Sequence, residues 1–240
     1  MKIIAKIYCA AVTAVFPRRC PVCDRPVRPF DRLICEGCRD KVTYVKAPYC
    51  MKCGKELQSD EEEYCHDCSV HKHSYDRGRA VFEYRSIARS LYGFKYSGRR
   101  EYAAYYGERT AAVLGVQIKT WAPDALIPVP IHTSRKRNRG YNQAEVFAEA
   151  VGSALDIPVL SDWISRCRKT VPQKELGPAE RQNNLKKAFK IIRNDVKLNT
   201  IVIIDDIYTT GSTIDAVAEC ARAAGVQKVY FVALAIGKGM

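Results

Sequence analysis

The chain reads as an α/β protein, a parallel sheet flanked by helices, with a small metal-stapled module ahead of it. Three observations predict this. An unbroken β-branched run, Ile201 to Ile204, suits a central strand covered on both faces. Strand and helix signals alternate through the C-terminal part of the chain, and evenly spaced cysteine pairs precede them. At 240 residues there is room for one full α/β domain and one small module.

The cysteine series is Cys20, Cys23, Cys35, Cys38, Cys50, Cys53, Cys65 and Cys68: four CxxC pairs with eleven residues between successive pairs. Thiolates in this pattern converge two pairs at a time on a tetrahedral metal, so two structural zinc sites follow, each closed by four cysteines. Joining neighbours gives Cys20, Cys23, Cys35 and Cys38 at one site and Cys50, Cys53, Cys65 and Cys68 at the other; spacing leaves a crossed pairing open. The competing disulfide framework belongs to an oxidising compartment. His66, His71 and His73 are expected on the exposed surface, because eight thiols already complete both sites. Cys9 and Cys167 read as buried or bystander thiols, and Cys220 as core. The segment 19–70 has few large apolar residues, so metal ligation must supply much of its folding free energy.

Residues 1–18 contain a short apolar run that imitates a signal peptide. Lys6 interrupts it, no small-residue cleavage site stands out, and it is too short to span a bilayer. The expectation is an amphipathic N-terminal helix, no transmembrane segment, and a cytoplasmic protein.

After a polar linker, Ser69–Tyr75, the α/β domain is expected over 77–240. Its signals run in order: a strand at Arg79–Tyr84; a helix capped by Ser86 through Leu91 and Phe94; a second helix near Glu101–Leu114; a strand at Ala125–Ile131. A basic loop, HTSRKRNRGYNQ, then leads to a helix bearing Ala144, Phe147, Val151 and Leu155. Further strands are expected within Val159–Cys167 and near Phe189–Ile192. The Ile201–Ile204 strand, a helix at Ile214–Ala224 and a last strand at Val229–Ile236 complete the pattern.

Ligands bind at the C-terminal ends of strands in such a sheet. Beyond Ile204 stand Asp205 and Asp206, which accept hydrogen bonds from sugar hydroxyls, then Thr209, Thr210, Gly211, Ser212 and Thr213 at a helix N-terminus that favours an anion. The two halves describe a ribose 5-phosphate. The formal charge of +13 favours polyanionic partners in general.

The stretch IVIIDDIYTTGST resembles the signature of type I phosphoribosyltransferases, with Tyr208 where that signature usually has an aliphatic residue. The resemblance implies binding of 5-phosphoribosyl 1-diphosphate (PRPP) with magnesium, on a type I phosphoribosyltransferase fold. The order of CxxC knuckles, FKYSG (Phe94–Gly98), IPVP (Ile127–Pro130), RGYNQ (Arg139–Gln143), RKTVPQKEL (Arg168–Leu176) and the signature then resembles the ComF family, a double zinc ribbon ahead of that fold. An aromatic at Tyr208 agrees with it. The family implies a role in handling imported single-stranded DNA, and the acceptor of any transfer is unknown. On this reading Asp205 and Asp206 hold the ribose and Thr209–Thr213 the phosphate. Arg135, Lys136, Arg137 and Arg139 face the pyrophosphate, while Lys169, Gln173, Arg181 and Asn184 belong to a mobile hood. Lys95 and Tyr96 reach the crevice or pack the core. The alternatives are a non-catalytic PRPP sensor, or a factor that binds single-stranded DNA or docks a helicase-like partner through its ribbons. Tyr44, Tyr49 and Tyr64, between the knuckles, would stack on bases or fill the ribbon core.

Overall fold

The structure, a computed structural model, describes residues 17–29, 31–167, 188–193 and 195–237. The N-terminal helix expected over 1–18 lies almost wholly outside these residues, as do Cys9, Lys169, Gln173, Arg181 and Asn184.

Four parallel strands form the main sheet: β1 (Arg77–Glu83), β6 (Lys228–Ile236), β5 (Thr200–Tyr208) and β2 (Ala125–Pro128), side by side in that order. Ile201 of β5 pairs with Val229 on one side and Ala125 on the other. The β-branched run divides between two apolar layers. Val202 and Ile204 face one, and Ile201 and Ile203 face the other. That alternation is why no polar residue interrupts the run: both faces of the strand are interior.

On the first face lie α2 (Tyr84–Tyr96), α3 (Tyr102–Thr120) and α5 (Gln143–Leu155); α6 (Ser212–Ala223) packs on the second. Strand β1 runs directly into α2, so Glu83 takes the N-cap position. Ser86 is therefore not the cap; its hydroxyl lies inside the first turn and donates to the Glu83 carbonyl at 2.9 Å. Helix α3 continues past Leu114 because Ile118, one turn on, is fully buried on the same face. The stretch within Val159–Cys167 yields β3 (Ile164–Arg166), which pairs antiparallel with β4 (Phe189–Ile191) in a separate two-stranded sheet.

The expected basic loop is a helix, α4 (Thr133–Arg139). His132 caps it, its ring nitrogen accepting from Ser134 N–H at 3.2 Å, and Gly140 ends it at φ 78, a left-handed cap open to glycine. Its polarity hid it: a helix with no buried residue carries no apolar period.

The cysteines gather as neighbours rather than crossed. The sulfurs of Cys20, Cys23, Cys35 and Cys38 all lie within 4.8 Å of one another, as do those of Cys50, Cys53, Cys65 and Cys68. Closest pairs stand at 3.6 Å, near the edge of about 3.8 Å that Zn–S bonds of about 2.3 Å impose on a tetrahedron. Both groups thus fit zinc. The first ribbon adds Val27, Cys38 and Val42 to the first layer; the second adds Cys50, Cys53 and Leu57 to the other. Of the three histidines expected at the surface, His66, which opens the short helix α1 (His66–Val70), and His71 are exposed, whereas His73 is buried. A carboxylate from the sheet domain draws it in. Cys167 is exposed and Cys220 half-buried at the edge of the second layer. Tyr44 packs on Phe82 with ring centroids 5.0 Å apart, Tyr49 receives the Arg79 guanidinium at 4.0 Å, and Tyr64 is exposed. Among the described residues no helix is long and apolar enough to cross a membrane.

Candidate functional site

The site is built at the C-terminal end of β5. The strand runs four residues beyond Ile204 and carries both Asp205 and Asp206, with Asp205 opposite Ala233. Thr209, Thr210, Gly211, Ser212 and Thr213 then wrap a small concavity together with Asp205, Ile207 and Tyr208. Thr210 and Ser212 hydroxyls lie 2.9 Å apart at its rim. The N-terminus of the twelve-residue α6 opens onto this loop, so free N–H groups and helix dipole favour an anion there.

The two carboxylates differ. Asp205 accepts the Asp206 backbone N–H at 2.8 Å, yet burial, and then the neighbouring Asp206 charge, raise its carboxyl from 3.8 to about 7. Asp206 is held by Lys95, whose Nζ lies 2.9 Å from its Oδ2, with both side chains largely shielded. The FKYSG lysine thus reaches the carboxylate pair from the last turn of α2.

A second cation approaches from β3. Burial and the nearby Arg135 charge lower the Arg166 guanidinium below its ordinary range, while Asp205 works the other way. Arg135, Arg166 and Asp205 therefore share one neighbourhood. Of the other cations of α4, Lys136 turns to Glu145 at 3.1 Å and Arg137 is exposed. Arg139 donates to Gln143 at 2.7 Å and to the Tyr96 hydroxyl at 3.2 Å, its guanidinium 4.8 Å above the Tyr96 ring. Of the four, Arg135 lies near Arg166, and Arg139 is held beside Tyr96, the neighbour of Lys95. Arg166 carries no motif in the sequence; a lone basic residue on a three-residue strand gives no signal.

Tyr208, the departure from the general signature, is fully enclosed. Its hydroxyl lies 2.7 Å from that of Tyr75, and its ring stacks on Phe231 at 4.8 Å with 2° between planes. An aliphatic residue could not reach Tyr75.

The N-terminal part of the chain matches the double zinc ribbon domain over residues 11–69, and residues 142–239 match the phosphoribosyl transferase domain. Competence protein F of Haemophilus influenzae is 30% identical over 233 residues, 92% of this chain and 97% of that one. The chain belongs to the ComF family. ComFC of Bacillus subtilis, also named a competence protein, is 26% identical over 79% of this chain and 78% of its own. The DNA utilization protein YhgH of Escherichia coli K12 is 28% identical over 83% and 82%. The fold is accordingly that of a type I phosphoribosyltransferase behind a double zinc ribbon, and the two four-cysteine groups are the ribbon sites of this ComF-family chain.

Proposed function

We propose that this ComF-family chain binds PRPP through the site at the end of β5, transfers its phosphoribosyl group to an acceptor, and serves DNA uptake in the cytoplasm. One observation carries the reading: two adjacent carboxylates, a hydroxyl-rich anion loop and cations from α2 and β3 converge at one strand end. Thr209–Thr213 would take the 5-phosphate, and Asp205 and Asp206 the ribose hydroxyls. Transfer breaks the bond from C1 to the diphosphate oxygen and forms one from C1 to the acceptor, which gives up a proton. Lys95, Arg135, Arg139 and Arg166 would face the negative charge that collects on the departing pyrophosphate. Carboxylate oxygens are hard donors, so Asp205 and Asp206 suit magnesium, which when bound neutralises diphosphate charge. The segment with Lys169, Gln173 and Arg181 remains our choice for the hood.

Calorimetric titration of PRPP with magnesium into wild type and Asp205→Asn/Asp206→Asn, with pyrophosphate release followed against a panel of bases and amines, tests this. Binding abolished by the double substitution together with release of pyrophosphate is expected. Binding without release for any acceptor would favour a PRPP sensor. No binding by zinc-loaded wild type would sink the reading.

A second reading, contact with single-stranded DNA, is favoured by one face of α2. Arg85, Arg89, Tyr92 and Tyr96 follow one another at helical spacing and are all exposed, the two tyrosines by 63% and 60%. Their rings lie 5.0 Å apart, a stacking platform flanked by cations. Single-strand affinity measured against salt should lose roughly one to two units of slope in Arg85→Ala/Arg89→Ala. An unchanged slope would remove this face from consideration.

A further inference from the structure

The chain that leaves the second zinc site is fastened along α6 and ends beneath the phosphate loop. His73 Nδ1 lies 2.8 Å from Asp215 Oδ2, and Ser74 N–H donates to the other oxygen of that carboxylate at 2.8 Å. Ser74 Oγ reaches Glu219 at 3.3 Å, and Arg222 donates to the Ser74 carbonyl at 2.7 Å and to Asp76 at 2.8 Å. Asp215, Glu219 and Arg222 are spaced four and three residues apart, so one face of the helix grips His73, Ser74 and Asp76. A carboxylate in the first turn of α6 opposes an anion at the same N-terminus. Here His73 and Ser74 engage both of its oxygens.

The same segment forms the floor of the loop. Tyr75 meets Tyr208 hydroxyl to hydroxyl at 2.7 Å, and burial holds both phenols far above their usual range, so the pair is neutral. His73 stacks on Tyr75 at 4.8 Å, and Tyr75 meets Phe231 edge-on at 4.9 Å. Gly211, at φ +83, sits directly on this floor: a Cβ there would stand 2.7 Å from Tyr208 Oη and 3.1 Å from His73 Cε1. On the zinc side, Lys52, between Cys50 and Cys53, holds its Nζ 5.2 Å over the Tyr75 ring, and its carbonyl accepts from Gly78 N–H at 2.8 Å.

We infer that Tyr75 and His73 are positioning residues of the phosphate loop, and that through them zinc at the second ribbon and anion binding at the loop are coupled. This rests on the PRPP reading above. Coupling between two sites is reciprocal: if zinc at Cys50, Cys53, Cys65 and Cys68 favours the ligand, the ligand must retain that zinc by the same factor. The first site packs on the opposite face of the sheet, in the layer of Phe94 and Tyr102 rather than that of Tyr75 and Tyr208.

The experiment uses the full, zinc-loaded chain. Tyr75→Phe keeps the ring and leaves the Tyr208 hydroxyl buried without its partner. Magnesium PRPP affinity is expected to fall roughly tenfold. Amide hydrogen exchange at 209–213 should quicken in the ligand-free variant. Zinc release to a chromophoric chelator should slow with PRPP in one phase only, the phase that survives in Cys23→Ser, and Tyr75→Phe should erase that slowing. His73→Gln, which keeps a polar group for Asp215, should fall between wild type and Tyr75→Phe in every readout. Loop exchange that ignores Tyr75→Phe, or equal slowing of both zinc phases, would overturn the inference. Wild type that binds no PRPP, with loop exchange still responding to Tyr75→Phe, would overturn the PRPP reading and leave the mechanical coupling standing.

Discussion

The two ribbons repeat one ligand pattern, dock on opposite faces of one sheet, and hold on by different means. The first is clamped by charge at the junction of α2 and α3. Asp24, in the turn between its first knuckle and the next strand-like segment, accepts from Arg99 at 2.9 Å and from the Tyr102 hydroxyl at 2.7 Å. Burial opposes ionisation there, yet the Tyr102 and Arg99 contacts hold the Asp24 carboxyl below its usual range. The second ribbon is locked by buried aromatic and backbone contacts, with Tyr75 under the loop and Arg79 spanning Tyr49 and the Cys50 carbonyl. Its own fold is braced by the Lys55–Asp67 ion pair, which raises the one group and lowers the other despite burial. A metal module can therefore be an attached accessory or part of the floor of a site, according to what its exit segment touches.

The largest test of this contrast is to remove one metal at a time. Losing zinc from a ribbon costs on the order of 10 kcal/mol of local folding free energy. Cys50→Ser should abolish measurable binding of magnesium PRPP by calorimetry, and Cys20→Ser should leave it within about threefold. Equal losses would erase the distinction.

Asp205 gives the next largest effect. Its folded value of about 7 lies above the ordinary 3.8, so the folded state holds this proton more tightly than the unfolded chain. The stability it lends is present in acid and is lost as pH rises from about 4 to about 7. Measured against Asp205→Asn, wild-type melting temperature should fall by several degrees between about pH 4 and about pH 8. Cys20→Ser should show the same pH difference, because the first ribbon lies away from the carboxylate. Curves for wild type and Asp205→Asn that run parallel across this range would remove the buried-proton account.

Smaller effects sharpen the picture of the first ribbon. Asp24→Ala should lower stability by about 1–3 kcal/mol through loss of charge-assisted contacts, read from denaturant midpoints, with PRPP affinity unchanged. A fall in affinity would mean that the first ribbon also reaches the site, through the end of α2. At the bottom of the scale, Glu36→Gln breaks an exposed i,i+4 pair with Arg32 and should cost no more than about 0.5 kcal/mol.

Much of this molecule was legible residue by residue. The signature strand, its loop and helix, and the eight zinc ligands stand where the sequence places them, since each is a local device: a continuous apolar run, a small-residue turn, a fixed CxxC spacing. Helix α4 was not legible, because a helix stabilised by His132 and Gly140 at its ends has no apolar stripe to betray it. Arg166 was silent for a different reason, being a single basic side chain whose meaning comes from groups met across space, Asp205 among them.

By itself, the sequence determined which cysteines form the four zinc-ribbon pairs and which strand end carries the carboxylates and the hydroxyl-rich loop, because these depend on neighbours in the chain. Only the tertiary structure decided that the cysteine pairs join as neighbours, that Lys95 lies on Asp206, and that His73 lies under Gly211 with Tyr75 bonded to Tyr208 beside it. The reason is physical. His73 looks like any histidine in a polar linker, and its burial depends on Asp215, 142 positions away, offering the carboxylate that offsets desolvation. No local pattern can encode a partner that only folding delivers.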